Sequence, residues 1–182
     1  MNELSDRELV YMLREPTTRK EGFSTMVRQY SEQLYWHIRH IVLNHDDAND
    51  VLQNTFLKAW KSLESFQGKS TLGTWLYRIA VNESLDFIRK QKQLGSISAD
   101  EDLSVANRLL ADEYFDGDKT QALLQEAVSK LPDVQRTVFT MKYFEDKKYS
   151  EISKILSTSE GALKASYHLA VKKVTEYLEH RN

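Results

Sequence analysis

Residues 149–173 read YSEISKILSTSEGALKASYHLAVKK, which is the most regular segment of the chain. Apolar residues recur at three- and four-residue steps on either side of a short break at 157–159, as expected for two helices joined by a tight turn. Serine is a preferred N-cap residue, so Ser150 and Ser159 predict the starts of a short helix and a long final helix. This order of short helix, brief turn and long helix is the helix-turn-helix plan.

The predicted final helix has one apolar face and one polar face. Its apolar positions are Leu163, Tyr167, Val171, Val174 and Leu178. The N-terminal half of such a helix can enter the major groove of DNA and offer side chains to base edges and phosphates. The candidate DNA contacts are Ser159, Lys164, Ser166, His168, Lys172 and Lys173. An ordinary solvated lysine face is the alternative, and the short helix and turn that precede it favour DNA binding.

The helical pattern that leads into this motif begins at Thr120, and Pro132 lies where a further helix could start. Residues 94–119 have 2 Lys or Arg against 7 Asp or Glu and no sustained periodicity, which predicts an acidic linker. Residues 1–93 have 13 basic against 12 acidic side chains, and residues 120–182 have 10 against 8. The net charge of −2 therefore says little about the partners of either end.

Two apolar stripes mark helices in the first half of the chain. One stripe consists of Leu52, Phe56, Trp60 and Leu63, and the other of Tyr77, Val81, Leu85 and Ile88. Both are expected to face a core. Between them, residues 65–74 read SFQGKSTLGT, and the Gly and hydroxyl residues there predict a loop. The chain has only two Pro and six Gly, so its composition predicts an all-α fold.

The helix after this loop has an aromatic and polar face opposite its apolar stripe. The members of that face are Trp75, Arg78, Asn82, Asp86 and Arg89. The adjoining loop adds Phe66, Lys69, Ser70 and Thr71. Aromatic rings stack on unpaired bases, amides and hydroxyls bond base edges, and Arg or Lys holds the backbone, so the pattern favours a single-stranded nucleic acid. A Trp at a helix start is more often a core residue, which is the alternative.

Acidic residues and a histidine stand together at residues 45–50, which read HDDAND. Calcium loops need alternating oxygen ligands and a Gly at the bend, which this segment lacks, whereas acids are favoured in the first turn of any helix. His37 and His40 could share a helix face, but no third ligand stands near them in sequence. We therefore expect no metal and no cofactor.

Catalytic motifs are missing from the sequence, which has no Cys, no glycine-rich phosphate loop, no HExxH and no GxSxG. It has no apolar run long enough to span a bilayer, and its first residues, MNELSDRELV, show no export signal. We expect a protein that is not an enzyme and that works in the cytoplasm.

Three blocks of the chain resemble, in order and spacing, the extracytoplasmic-function (ECF) subfamily of the sigma-70 family of RNA polymerase sigma factors. The blocks are DANDVLQNTFLKAW (47–60), FQGKSTLGTWLYRIAVNESLDFIRKQK (66–92) and LPDVQRTVFTMKYFEDKKYSEISKILSTSEGALKASYHLAVKK (131–173). The resemblance covers about residues 20–93 and 120–178. It identifies the chain as a bacterial alternative sigma factor.

The resemblance implies two small helical domains joined by the acidic linker at 94–119. Residues 1–93 would be similar to sigma region 2 and bind core RNA polymerase and the minus-ten element of the promoter. Residues 120–182 would be similar to sigma region 4, bind the minus-thirty-five element through the final helix and contact the polymerase flap. The linker would enter the polymerase near the RNA exit path.

The same resemblance implies roles for single residues in the first domain. The residues that would dock on the clamp of the polymerase largest subunit are Asp47, Asp50, Gln53, Asn54 and Phe56. The loop at 66–71 would capture a flipped base of the minus-ten element, next to the face of Trp75, Arg78 and Asn82. Capturing unstacked bases offsets part of the cost of melting DNA without any reaction chemistry.

Departures from the family pattern affect both surfaces. Leu72 stands where relatives usually have an aromatic residue, which predicts weak melting and dependence on a stringent promoter. Ser166 and Leu169 stand where relatives often have basic residues, so the individual base contacts of the final helix are less firmly implied than its general role.

Other partners and functions follow as expectations or alternatives. An anti-sigma protein is a further partner expected of the family. An autonomous helix-turn-helix regulator would bind duplex DNA without polymerase, usually as a dimer. An adaptor that binds only proteins would have negligible affinity for DNA, nearly insensitive to salt. Neither alternative explains the face that contains Trp75.

Overall fold

The computed structural model describes residues 4–94 and 104–181, which form helices and no β-strand. The helices are α1 (Asp6–Arg14), α2 (Arg19–Val42), α3 (His45–Ser62), α4 (Leu72–Gln93), α5 (Val105–Ala111), α6 (Lys119–Ser129), α7 (Asp133–Phe139), α8 (Tyr149–Leu156) and α9 (Glu160–Glu179). A 3-10 helix, Leu63–Ser65, extends α3, and a π-helix, Thr140–Phe144, continues α7. The expected all-α fold is confirmed. The predicted linker lies partly outside the described residues.

Helices α1–α4 form the first helical unit, in which α2 packs against α1, α3 and α4. Its fully buried aliphatic residues include Met26, Leu34, Ile38, Ala48, Ala59, Leu72, Leu76 and Ala80. Burying one Leu or Ile side chain contributes about 1.5–3 kcal/mol to folding. These apolar faces therefore hold the four helices together.

Two residues predicted to lie in a core are at the surface. Trp60 is 40% exposed and Val171 is 38% exposed. Each four-residue step carries a helix about 40° past a full turn, so a stripe spaced only by fours drifts off the buried face. The buried positions combine steps of three and four, and they include Ala48, Val51, Thr55 and Ala59 in α3 and Leu163, Ala170 and Val174 in α9.

Helices α6–α9 form the second helical unit, whose last two helices make the predicted helix-turn-helix. Helix α8 ends at Leu156, and the next residue, Ser157, caps it with a left-handed φ of 52°. Helix α9 begins directly after Ser159, whose Oγ accepts the Ala162 N–H at 3.3 Å. The predicted N-cap of the final helix is confirmed.

The other predicted start in this motif is wrong. Ser150 does not cap α8, which begins at Tyr149, two residues before the start that a Ser150 cap predicts. The Lys148 N–H donates to the Glu151 carboxylate at 2.8 Å. The glutamate thus gives a backbone N–H at the start of the helix a partner and stabilises the earlier start. Helix α7 begins directly after Pro132, close to the predicted position.

Part of the predicted linker is helical and packs on the second unit. Helix α5 lies along α6, and the Ala106 N–H donates to the Glu126 carboxylate at 2.8 Å. Glu126 is 1% exposed and also accepts the Tyr177 hydroxyl and pairs with Arg181 at 2.9 Å. One buried carboxylate thus joins α5, α6 and the end of α9.

The chain that follows α5 contacts the first unit. Asp112 pairs with Arg39 at 2.6 Å, and both side chains are largely buried. The Tyr114 ring stacks on His45 with the ring centroids 3.7 Å apart. This part of the predicted linker therefore contacts both helical units.

The two helical units pack directly on each other. Side chains of the second unit that join the buried core of the first are Val138, Met141, Ile152, Ile155 and Leu163. The principal helix pair across the contact is α4 and α8. This contact could not be predicted from the sequence, because apolar periodicity defines the buried face of each helix but not which faces meet.

Candidate nucleic-acid interface

The predicted base-capturing loop, residues 66–71, leads from the 3-10 helix into α4. Gly68 has a φ of +69°, a left-handed conformation that glycine adopts without strain. Thr71 caps α4, because its Oγ1 accepts an N–H from the first turn at 3.2 Å. The ring centroids of Phe66 and Trp75 lie 4.9 Å apart, so the structure brings the aromatic residues of loop and helix together.

The side chains of this loop differ in exposure. Lys69 and Thr71 are exposed, whereas Phe66, Ser70 and Trp75 are partly buried. Phe66 and Trp75 also pack against the core of the first unit. Each ring is therefore anchored on one side and accessible on the other, which suits a rigid stacking surface.

Two other residues of the predicted α4 face contact the second unit. Arg78 donates to the Lys154 carbonyl, from Nη2 at 2.5 Å and from Nε at 3.1 Å. Arg89 pairs with Asp133 at 3.1 Å. Asn82 lies between them along α4 and is exposed. Two of the predicted minus-ten contacts are thus engaged by the other helical unit.

Arg78 caps the C-terminal end of α8. Its Nε also lies 3.3 Å from the Ile155 carbonyl, so it reaches two of the last carbonyls of that helix. The final carbonyls of a helix have no partner within it, and a cation there complements the helix dipole. Nε and Nη2 of this guanidinium are therefore occupied, and both become available to a melted strand only when α4 and α8 separate.

The predicted DNA-reading face of α9 is turned to solvent. Its exposed members are Ser159, Lys164, His168, Lys172 and Lys173, and Ser166 is partly buried. Lys164 Nζ lies 5.7 Å from the centroid of the Tyr149 ring at the start of α8. Lys172 and Glu176 approach only to 3.9 Å, and an exposed pair of this kind contributes little. The cations of this face are therefore accessible to a polyanion.

The predicted polymerase-binding residues begin in the first turn of α3. Asp50, Gln53 and Asn54 are exposed, and Asp47 is partly buried. Burial, together with the charges of Asp50 and Asp46, raises the pKa of Asp47. The exposed members form one continuous polar surface along the helix.

Apolar side chains that the sequence analysis missed adjoin this surface. Phe56 was predicted to contact a partner, but it is only 8% exposed because its ring packs edge-on against Phe23. Leu57 is 52% exposed and Trp60 is 40% exposed, and with Phe23 they line a shallow groove between α2 and α3. Leu57 lies outside the apolar stripe of α3, which was the available signal in the sequence.

A buried polar cluster, His37, Tyr77, Glu145 and Lys147, joins the two helical units. His37 is 0% exposed, and its Nδ1 lies 2.5 Å from Glu145 Oε1. Lys147 Nζ lies 3.4 Å from the other Glu145 oxygen and 4.0 Å from the centroid of the Tyr77 ring. Within the described ranges, no three His, Asp or Glu side chains gather as a metal site would require.

The charges in this cluster favour an ionised glutamate. Burial acts to raise the pKa of Glu145, but His37 and Lys147 outweigh it and hold that pKa below its ordinary value. Burial and the Glu145 carboxylate together raise the pKa of Tyr77. The cluster is therefore an ion pair with a neutral phenol beside it.

His40 makes the stability of the chain sensitive to pH. Its ring stacks on a phenylalanine of the π-helix, with centroids 4.3 Å apart. Burial lowers the pKa of His40 below 6.5, and His37 and Arg39 add to this effect, whereas the Trp36 backbone and Glu145 oppose it. The folded state therefore binds fewer protons at this site than the unfolded state does, so stability is lost as the pH falls below 6.5.

We expect the urea concentration at the unfolding midpoint of the wild type to decrease when the pH is lowered from about 7.5 to about 5.5. His40→Gln, which cannot titrate, should show a smaller fall over the same interval. Unfolding followed by circular dichroism at both pH values measures the difference. Equal falls in the two proteins would contradict a titrating His40.

Fold and surfaces together define a two-unit, all-helical protein that contains a helix-turn-helix motif. No helix in the ranges 4–94 and 104–181 is long and apolar enough to cross a membrane. Residues 26–93 match the family described as Sigma-70 region 2, and residues 121–174 match Sigma-70, region 4.

Relatives of known function agree with these matches. The chain is 31% identical over 158 residues to the ECF RNA polymerase sigma factor SigW of Bacillus subtilis, covering 82% of this chain and 84% of SigW. It is 30% identical over 160 residues to the RNA polymerase sigma factor SigV of the same organism, covering 88% of this chain and 93% of SigV.

Two solved structures have a similar fold. CnrH, in complex with the cytosolic domain of CnrY, superimposes with a TM-score of 0.70 at 21% identity, covering 97% of this chain and 99% of that chain. The sigma factor RpoE of Bartonella quintana, in complex with the anti-sigma factor NepR, superimposes with a TM-score of 0.61 at 22% identity. The match covers 86% of this chain and 96% of RpoE.

The chain belongs to the extracytoplasmic-function sigma factors of the sigma-70 family. It is an alternative sigma factor that binds core RNA polymerase and directs it to promoters in transcription initiation. The predicted family is confirmed, and the comparisons give no support to an autonomous helix-turn-helix regulator. Members of this family are transcription factors rather than enzymes.

Proposed function

We propose that residues 1–93 act on the minus-ten element and on core polymerase, that residues 120–182 act on the minus-thirty-five element, and that residues 94–119 link them. The observation that carries the proposal is the pairing of Phe66 with Trp75 at a loop that also exposes Lys69. An unpaired base needs an aromatic surface to stack on and a cation to hold its phosphate. This loop offers both.

In the minus-ten interaction, loop 66–71 captures a base that has left the duplex. Phe66 and Trp75 stack on the base, the hydroxyls of Ser70 and Thr71 bond its edge, and Lys69 holds the backbone. The Arg78, Asn82 and Arg89 side chains follow the strand along α4 after the two helical units have separated. Stacking of this kind contributes about 1–3 kcal/mol for each base, which offsets part of the cost of opening the duplex.

In the minus-thirty-five interaction, α9 enters the major groove by its N-terminal half. Lys164, Ser166 and His168 face base edges, and Lys172 and Lys173 face phosphates. Ser159 stands at the N-terminus of α9, where backbone N–H groups can hold a further phosphate. The solvent-facing position of these side chains supports the assignment.

On core polymerase, α3 binds the clamp of the largest subunit. Asp47, Asp50, Gln53 and Asn54 make the polar contacts, and Phe56 supports them from beneath. The exposed flank of Leu57 and Trp60 supplies apolar area, which polar contacts alone lack. The second helical unit contacts the flap, and the acidic linker enters the channel near the RNA exit path.

The cellular setting follows from the same proposal. The protein works in the cytoplasm, where it meets core polymerase and the chromosome, and it contributes binding energy rather than reaction chemistry. An anti-sigma protein regulates it. The RpoE structure, a sigma factor bound to an anti-sigma factor in a fold like this one, supports that partner.

Transcription in vitro tests the proposal. Purified core RNA polymerase is incubated with and without this protein on genomic fragments that include its own upstream region. Discrete new transcripts that depend on the protein would support the proposal and define both promoter elements. A protein that neither co-elutes with core polymerase nor yields transcripts would contradict it.

We expect Lys164→Ala to weaken binding of the mapped promoter by about tenfold and to relax discrimination at one base pair of the minus-thirty-five element. The reason is the loss of a hydrogen bond to a base edge. Binding of the reconstituted holoenzyme to labelled promoter duplexes, with single base-pair changes, measures both effects.

Lys173→Ala is the matched comparison, because Lys173 is assigned to a phosphate. Lys173→Ala should weaken binding to all duplex sequences about equally. It should also lower the salt dependence of binding by the amount expected for about one phosphate contact. Uniform weakening in Lys164→Ala as well would contradict a base contact for that residue.

A further inference from the structure

Helix α1 lies against α2 and the start of α4, beside loop 66–71. Asp6 is its first residue, and each of its carboxylate oxygens has a partner. Oδ2 accepts the Leu72 N–H at 2.8 Å, and Oδ1 accepts the Tyr30 hydroxyl at 2.7 Å. This single carboxylate links α1, α2 and α4.

Leu72 is the first residue of α4 and follows the loop directly. The first N–H groups of a helix have no partner within the helix, and Leu72 is 0% exposed. The Thr71 hydroxyl serves a different N–H, that of Thr74, and leaves Leu72 to Asp6. A carboxylate at this end also complements the helix dipole. The bond from Asp6 therefore fixes the point at which the loop ends and α4 begins.

Helix α1 is a rigid support for this bond. The Leu4 N–H donates to Gln29 Oε1 at 3.1 Å, and Gln29 Nε2 donates back to the Leu4 carbonyl at 3.0 Å. Helices α1 and α2 approach so closely at Gly22 that a Cβ there would lie 2.7 Å from Met12 Cβ. A shift of the loop relative to α2 must therefore break the Asp6 bonds or displace α1.

We infer that Asp6 is a positioning residue for base capture, because it sets the geometry of loop 66–71 against Trp75. The inference rests on the proposed role of this loop in the minus-ten interaction. A cap that only stabilised the fold would change how much of the protein is active. A positioning residue also changes which base the active protein prefers.

The test measures base discrimination in holoenzymes that contain the full chain. The first probe is a fluorescent single-stranded oligonucleotide of the minus-ten non-template strand, taken from the promoter that transcription defines. The second probe replaces the base to which wild-type binding is most sensitive. The ratio of the two affinities is the discrimination ratio, and it does not depend on the active fraction of the preparation.

Three variants are compared with the wild type: Asp6→Ala, Asp6→Asn and Ser5→Ala. Ser5→Ala removes the N-cap of α1, whose Oγ accepts the Glu8 N–H at 3.3 Å, but leaves the bond to Leu72. We expect a ratio of about tenfold in the wild type and in Ser5→Ala, and of about twofold in Asp6→Ala. Asp6→Asn keeps a single acceptor oxygen and loses the negative charge at the start of α4, so its ratio should be about fivefold.

The remaining outcomes overturn the inference. A wild-type ratio in Asp6→Ala does so, and so does an equal loss in Ser5→Ala, which would assign the effect to the stability of α1. If Asp6→Ala fails to fold, Asp6→Asn decides, and a wild-type ratio there is the contrary result. Absence of discrimination in the wild type would refute the role of the loop itself, and this inference with it.

Discussion

Glu145→Ala is expected to weaken the contact between the two helical units by about 3 kcal/mol. The Glu145 side chain is 11% exposed and faces His37, which is fully buried, and Lys147. Removing the carboxylate leaves Lys147 in a poorly solvated site without a compensating charge, and it leaves His37 Nδ1 without its partner. The equilibrium between closed and open molecules should therefore shift towards open by roughly two orders of magnitude.

Fluorescence energy transfer between dyes on α3 and α9 measures this shift. The chain has no cysteine, so Lys61→Cys and Glu179→Cys, both at exposed positions, introduce two specific attachment sites. We expect lower transfer in Glu145→Ala than in the parent. Asp146→Asn is the matched control, because its side chain is 97% exposed and Asn tolerates the left-handed backbone, φ 48°, at this position. Unchanged transfer in Glu145→Ala would contradict a role for the pair in closure.

Closure has a direct bearing on promoter binding. Arg78 and Arg89 are assigned to the minus-ten strand, yet both are engaged by the second unit through Lys154 and Asp133. The reading face of α9 is exposed in the same arrangement. The closed molecule can therefore present α9 to duplex DNA, but it cannot use the full face of α4 until the units separate.

The parts of the fold that depend on local sequence could be predicted. The Ser159 cap, the helix-turn-helix order and the loop before α4 all follow from turn and capping chemistry within a few residues. The prediction that Ser150 caps α8 was wrong because the neighbouring Glu151 carboxylate accepts a backbone N–H at the start of the same helix. Sequence alone does not decide between two possible helix starts that lie two residues apart.

The long-range contacts could not be predicted. His37 and Glu145 are 108 residues apart in the chain, and neither stands in a distinctive motif. A lone histidine in an amphipathic helix can be a core residue, a ligand or a surface residue, and only the approach of the second unit gives His37 the Glu145 carboxylate as a partner. The Asp6–Leu72 bond is of the same kind, since a helix-initial aspartate usually serves its own helix.

The second large effect is expected at Glu126, the buried carboxylate that joins α5, α6 and the end of α9. Glu126→Ala should lower the free energy of unfolding by about 3 kcal/mol. It leaves the Ala106 N–H, the Tyr177 hydroxyl and the Arg181 guanidinium without their shared acceptor. Glu179→Ala, an exposed glutamate at the end of α9, is the control and should change stability little.

The pH dependence of unfolding separates the charge of Glu126 from its packing. Burial acts to raise the pKa of Glu126, but hydrogen bonds from Ala106, Tyr177 and Ser104 and the charge of Arg181 outweigh it and lower that pKa. A lowered pKa in the folded state means that this stabilisation is present above about pH 4.5 and is lost as the pH falls through the folded value. Urea unfolding should therefore show that the free energy of unfolding decreases more steeply with falling pH in the wild type than in Glu126→Gln. Parallel curves would mean that α5 is held by its apolar contacts with Ala122 and Leu123 and not by the carboxylate.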